Sequence, residues 1–266
     1  AAHGAHFTST ATPDSALALG ADVVIESAHK TLPCLTQASV MLVRDEQLVP
    51  PLTNAVALLH TTSPSYLLMA SLEQAGAWLA NEGEMVMQRG ARRIAALEAA
   101  AASWQNLAIE RDSDWRQDPF KLYLTSAHAS GETIARLLDA RGCIVEMSDG
   151  RGCLLMLPLD GGDPALVEIL ADVDQALAEV DEAIPAPCYL RETPRVDVSL
   201  AEAWLAPRRA LPLEKAVGQT AAALLEAYPP GIPLLLPGER ITQGIIDAWT
   251  ASGRDAATRV EVLDNA

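Results

Sequence analysis

Lys30 stands in the run Glu-Ser-Ala-His-Lys-Thr-Leu-Pro (26–33), just past a short apolar stretch and just before a proline turn. An unprotonated lysine amine is a nucleophile, and bonding to an aldehyde cofactor is an established use of it. Pyridoxal phosphate is such an aldehyde, and its phosphate needs anchors such as hydroxyls and backbone amides. Ser27 and His29 put a hydroxyl and an imidazole close to the amine in sequence. A solvated charge is the commoner role of a loop lysine, and this run taken alone leaves both readings open.

Three other groups can carry chemistry. His3 and His6 are spaced three apart in Ala-Ala-His-Gly-Ala-His-Phe. A metal would need further clustered ligands, and none follow; a histidine here can touch a cofactor ring, or belong to a polar loop leaving a strand. Thr61, Thr62 and Ser63 precede a helical pattern. The free N–H groups of a helix start suit a phosphate, and simple N-capping explains the same residues. Glu239 closes the stretch Tyr-Pro-Pro-Gly-Ile-Pro-Leu-Leu-Leu-Pro-Gly-Glu (228–239). It can face a cationic ligand or be a surface carboxylate in a turn.

The elements that must position these residues follow from periodicity. Residues 21–27 and 38–45 are β-branched or apolar and predict two strands, with the lysine in the loop between them. Helical spacing runs from Ser65 to about Ala80, with Ser63 as the expected N-cap and Pro64 at the first helical position. A second helix is predicted over 84–103, with Gly83 separating the two or kinking one. Beyond Ser103 the pattern predicts a strand at 120–126, a helix at 131–142 ending on Gly142, paired strands at 143–149 and 152–159, and a helix at 163–183. That order predicts a small α+β domain. Residues 185–194 are proline-rich and predict a linker. A helix is then expected over 213–228, a turn–strand–turn over 228–239, a helix over 241–252 and a last short strand near the end.

The 266 residues suffice for one large domain or two modest ones, and 50% of them are apolar, a globular composition. The formal charge of -16 argues against a nucleic-acid backbone as partner and weakly favours cationic ligands. The four cysteines, Cys34, Cys143, Cys153 and Cys188, form no Cys-x-x-Cys pair, so they predict buried or idle thiols in a reducing compartment rather than a zinc site. No run of about 18 apolar residues is free of charges and breakers, so neither a membrane span nor a membrane partner is expected. The opening, with no initiator methionine and no element leading in, reads as the interior of a longer chain.

Taken together, "AHGAHF", "ADVVIESAHKTLPCLTQASVMLV" and "HTTSPSYLLMASLE", followed by "LEKAVGQ" and "AYPPGIPLLLPGERIT", resemble the bacterial Orn/Lys/Arg decarboxylases of the short biosynthetic type. The resemblance implies an α/β chain: the C-terminal part of a fold-type-I pyridoxal-phosphate large domain over 1–103, then a smaller α+β region over 104–266, with the possible linker at 185–195. It implies a cytoplasmic enzyme with pyridoxal 5'-phosphate as cofactor, a basic amino acid (arginine, lysine or ornithine) as substrate, and a homodimer or higher homo-oligomer. By position, Lys30 matches the Schiff-base lysine and Ser27 and His29 the phosphate-side residues before it. Thr62 and Ser63 match a segment that reaches the neighbouring subunit's phosphate. His3 matches the histidine of an Asp-x-Ala-His segment near the ring oxygen, and Glu239 is the candidate for the substrate's distal cation. The family's aspartate, three residues before that histidine, pairs with the pyridine nitrogen; its position would precede Ala1. The expectation is therefore an N-terminally truncated chain, inactive alone. Other outcomes to weigh are a different fold-type-I enzyme, such as an aminotransferase relative, and a non-catalytic remnant that binds a partner.

Overall fold

The computed structural model describes residues 1–112, 116–184, 190, 192–228 and 231–264. The chain forms two compact units. The first comprises 1–102, 111–122 and 156–167; the second comprises 103–110, 123–155 and 168–266. No helix among the described residues is long and apolar enough to cross a membrane.

In the first unit, β1 (Val23–Glu26) and β2 (Val40–Val43) pair antiparallel, with Val23 opposite Val43 and Glu26 opposite Val40. Both strands fall where alternating β-branched residues predict them. The connection holds a single 3-10 turn, Ala28–Lys30. α1 (Val49–Leu59) was not predicted: Pro50 and Pro51 look like breakers, but they sit in its first turn, where a missing N–H costs nothing. α2 (Tyr66–Trp78) starts two residues later than expected. Ser65, not Ser63, is its N-cap, with its hydroxyl accepting from Leu68 N at 3.4 Å, so Pro64 lies outside the helix. A π-helical turn, Leu79–Gly83, joins α2 to α3 (Glu84–Ala101) without a break. Met87, Gly90, Ile94 and Leu97 form the buried stripe of α3, at the three-to-four spacing of one helix face. Gly90 lies against the backbone of 159–161: a Cβ there would stand 2.3 Å from Leu159 O.

In the second unit, β3 (Ala108–Glu110), β4 (Lys121–Thr125), β6 (Gly152–Met156) and β5 (Met147–Ser148) form one sheet in that order; β4 and β6 cross the division between the units. α4 (Gly131–Asp139), capped by Ser130, and α5 (Leu166–Leu177) supply buried Ile134, Leu138, Leu170, Val173 and Leu177. Asp174 on α5 accepts backbone N–H bonds from Gln105, Asn106 and Leu107 at 3.0, 2.6 and 2.8 Å, and so fixes the start of this region. Residues 185–189 and 191 of the expected linker lie outside the described residues. Then come α6 (Leu200–Leu205), with a complete Ser199–Glu202 capping box, and β7 (Arg208–Pro212), which pairs with β10 (Arg259–Leu263). β8 (Leu225–Ala227) pairs with β9 (Ile232–Leu235), and α7 (Gln243–Ala251) closes a core of Leu213, Ile241, Ile245, Trp249 and Val262.

The helix expected over 213–228 is absent. Leu213–Lys215 makes a 3-10 turn and Leu225–Ala227 is a strand. Ala221 N and Ala222 N bond instead to Glu239 O and Glu261 O at 2.8 and 2.9 Å. The two fully buried alanines let backbones approach closely, and tertiary pairing overrides their helix propensity.

Candidate functional site

Lys30 is the last residue of the 3-10 turn that leaves β1. The turn is held at both ends. Lys30 N donates to Ser27 O at 3.0 Å, and Thr31 N and Leu32 N donate to Ala28 O at 3.2 and 2.8 Å. His29 is fixed across the loop, its backbone N and its ring Nδ1 both meeting Ala38 O, at 3.2 and 3.0 Å. Ser27 N donates to Ala2 O at 3.1 Å, which brings the segment carrying His3 onto the segment carrying the lysine. Ser27, His29 and His3 are half-buried. Glu26, at the end of β1, is buried, and burial pushes its carboxyl above the usual range.

The Lys30 side chain is exposed and has no carboxylate partner among the described residues. It lies on the wall of two cavities of the first unit. The larger, about 620 Å³, is also lined by His29, Thr31, Trp78, Arg89 and Pro158. The smaller, about 210 Å³, is lined by Lys30, Thr31, His6, Asp118 and Lys121 on its polar side. His6 Nε2 stands 3.1 Å from Asp118 Oδ2, and Lys121 Nζ stands 3.0 Å from the same oxygen. Neither approach is an aligned hydrogen bond: Asp118 Oδ2, both ring nitrogens of His6 and Thr31 Oγ1 are buried without a hydrogen-bond partner. Burial alone would raise the Asp118 carboxyl, but His6 and then Lys121 more than offset it and hold it below its usual value.

The remaining predicted residues lie elsewhere. Thr62 and Ser63 are exposed on the segment between α1 and α2, where Ser63 N donates to Thr61 Oγ1 at 3.2 Å. They do not cap α2. Glu239 belongs to the second unit, is half-buried, and accepts from Leu236 N at 2.7 Å to close the turn after β9. Among the described residues no group of three His, Cys, Asp or Glu can hold a metal ion. Asp118 and Lys121 were not singled out from the sequence. Their only local signal is an acid and a base three apart in Asp-Pro-Phe-Lys, and the pairing with His6 spans more than a hundred residues.

Lys30 thus stands on a tight turn after a strand, beside concave space. Residues 1–108 match the family model described as Orn/Lys/Arg decarboxylase, major domain, and residues 192–253 match Orn/Lys/Arg decarboxylase, C-terminal domain. The chain belongs to the Orn/Lys/Arg decarboxylase family. Within the family, an arginine decarboxylase of Bacillus subtilis is 31% identical over 258 residues, covering 91% of this chain and 52% of that protein. The constitutive lysine decarboxylase of Escherichia coli is 23% identical over 305 residues. Its solved structure superposes with a TM-score of 0.74 at 19% identity, covering 91% of this chain and 49% of that one. Lysine decarboxylase A from Pseudomonas aeruginosa superposes with a TM-score of 0.72. The structural likeness establishes the α/β fold. The chain spans about half the length of the curated relatives it matches.

Proposed function

We propose that this chain is part of a pyridoxal-phosphate-dependent decarboxylase of a basic amino acid, with Lys30 as the residue that carries the cofactor. The observation behind this reading is the Lys30 amine: free of any carboxylate among the described residues, on a braced turn, and facing concave space. The residues present fit the cofactor. The amine can reach an aldehyde carbon, and Thr31, whose hydroxyl is buried and unpartnered, is among the residues that line the same space. When bound, pyridoxal phosphate supplies an electron sink for the pair released as the bond from Cα to the carboxylate breaks.

The chain's own residues would do the rest. Ser27 and His29 offer a hydroxyl and an imidazole on the phosphate side, with His29 kept in one orientation by Ala38 O. His3 would lie near the ring oxygen, in a segment tethered to the lysine turn by the Ser27–Ala2 bond. In a homodimer, the exposed Thr62 and Ser63 would reach the phosphate held by the other subunit. Glu239 is the candidate for the substrate's distal ammonium or guanidinium, through Oε1, the carboxylate oxygen not taken up by Leu236 N. Relatives named arginine and lysine decarboxylases support a basic amino acid as the substrate class.

The test uses the complete polypeptide loaded with pyridoxal phosphate and reduced with borohydride. Peptide mass spectrometry should find the pyridoxyl group on Lys30, and Lys30→Ala should abolish it. Incubation with arginine, lysine and ornithine should release carbon dioxide and the matching amine. A keto acid would instead indicate an aminotransferase relative, and labelling at another lysine would refute the reading.

A further inference from the structure

The larger cavity beside Lys30 is lined by two side chains that cofactor attachment does not use. Trp78 closes α2 at its junction with the π-helical turn, and such turns recur at functional sites. It is half-buried and lines the cavity together with the apolar Leu32, Val86 and Pro158. Asp160 lines the same cavity and is also half-buried. Its segment is fixed from α3, where Arg93 donates to Asp160 O at 3.2 Å and Gly90 packs against the backbone. The carboxylate is committed only in part. Oδ1 accepts from Gly162 N at 3.1 Å, and Oδ2 has no hydrogen-bond or ion-pair partner among the described residues. At about 620 Å³ the cavity is within the range of small-molecule sites.

Charge and shape select the ligand. The Lys30 amine must be uncharged to carry the cofactor. Arg89 and Asp160 then give the cavity one charge of each sign. An amino acid bound through its α-amino group brings one carboxylate and, if its side chain is basic, one distal cation. That cation belongs beside Asp160 and away from Arg89. A guanidinium is planar and weakly hydrated, and it stacks on an aromatic face while its N–H groups meet a carboxylate. An ammonium is a compact, strongly hydrated point charge and gains less from the indole. An aromatic face and an open carboxylate oxygen in one apolar cavity therefore suit arginine better than lysine or ornithine.

We infer that Trp78 and Asp160 determine specificity at this site, selecting arginine among the basic amino acids by stacking and pairing its guanidinium. This selectivity rests on the decarboxylase reading above. Asp160 shares the cavity of Lys30, whereas Glu239, the candidate carried by the resemblance, belongs to the second unit.

The test uses the complete polypeptide loaded with pyridoxal phosphate. Carbon dioxide release gives kcat/KM for arginine, lysine and ornithine. Calorimetry gives the binding of agmatine and cadaverine, the amines left by arginine and lysine. Arginine should be preferred over lysine about tenfold or more. Trp78→Leu should cut that preference about fivefold, mainly through KM, and Trp78→Phe should keep most of it. Asp160→Asn should lower kcat/KM for arginine about tenfold or more and erase discrimination against citrulline, the uncharged isostere of arginine. Carbon dioxide release with a ratio unchanged by Trp78→Leu, or a preference for lysine or ornithine in the unaltered enzyme, overturns the inference and leaves the decarboxylase reading standing. If discrimination against citrulline survives Asp160→Asn and falls in Glu239→Gln, the assignment of Asp160 is overturned. Agmatine bound more tightly than cadaverine, with that margin lost in Trp78→Leu but no carbon dioxide from any of these amino acids, removes the decarboxylase reading and leaves the guanidinium site standing. Absence of both turnover and agmatine binding overturns both.

Discussion

Two helical glycines in the first unit should respond in opposite directions to the same substitution. Gly76 on α2 is exposed, and a Cβ there would meet nothing within 4 Å. Alanine at that site should gain the ordinary helix preference, about 0.5–1 kcal/mol. Gly90 on α3 has the same intrinsic preference to gain. Its Cβ, however, would stand 2.3 Å from Leu159 O, 2.9 Å from Asp160 C and 2.9 Å from Gly161 N. All three are backbone atoms and cannot rotate aside, and Arg93 pins the same segment by donating to Asp160 O at 3.2 Å. Overpacking of this kind costs about 1–3 kcal/mol. After the helix gain, Gly90→Ala should be roughly 1–2 kcal/mol less stable than the unaltered chain. Urea unfolding followed by circular dichroism gives both values from midpoint shifts at a shared slope. The displaced segment includes Leu159, which lines both cavities beside Lys30, so cofactor capture should weaken in Gly90→Ala and not in Gly76→Ala. If Gly90→Ala proves as stable as Gly76→Ala, the close packing of α3 on residues 159–161 is wrong.

Two further outcomes are expected. The Asp118 carboxyl titrates lower folded than unfolded, so its stabilisation is complete above the unfolded value of 3.8 and is lost as pH falls through the folded value. Asp118→Asn should therefore cost about 3 kcal/mol near neutrality, and its deficit should shrink in acid melts below about pH 4; a deficit independent of pH would contradict this. Asp174→Ala should leave three backbone N–H groups without their acceptor, cost about 2–4 kcal/mol, and speed hydrogen exchange at Gln105, Asn106 and Leu107; unchanged exchange there would rule out the anchoring role.

Local patterning carried much of the fold. β1 and β2, the α2–α3 pair, α4, α7 and the final strand lie where alternation, helical spacing or a terminal glycine such as Gly142 places them. What failed was decided by distant partners. The alanines near 221 read as helix because propensity is a local quantity, whereas their backbone bonds run to Glu239 and Glu261. α1 was hidden by prolines that are harmless only in a first turn. At the site, Lys30 and its neighbours stood out because the residues that matter are adjacent in sequence. The Asp118–Lys121 pair did not, because its meaning depends on His6 and Thr31, which only folding brings to the same cavity.

The wide turn at Leu79–Gly83 has a mechanical consequence for the long rod formed by α2 and α3. A π-helical turn accommodates one residue more than an α-helical one, and each residue of an α-helix advances the azimuth by about 100°. Five residues wound this way turn through about as much azimuth as four of α-helix, so excising a single residue there would leave a continuous rod with the stripe of Met87, Ile94 and Leu97 near its present bearing relative to Ala75, whereas the same deletion within α3 would swing the residues after it by about 100°. The wide turn thus absorbs the extra residue locally and keeps Ala75 and the α3 stripe near one bearing along the rod.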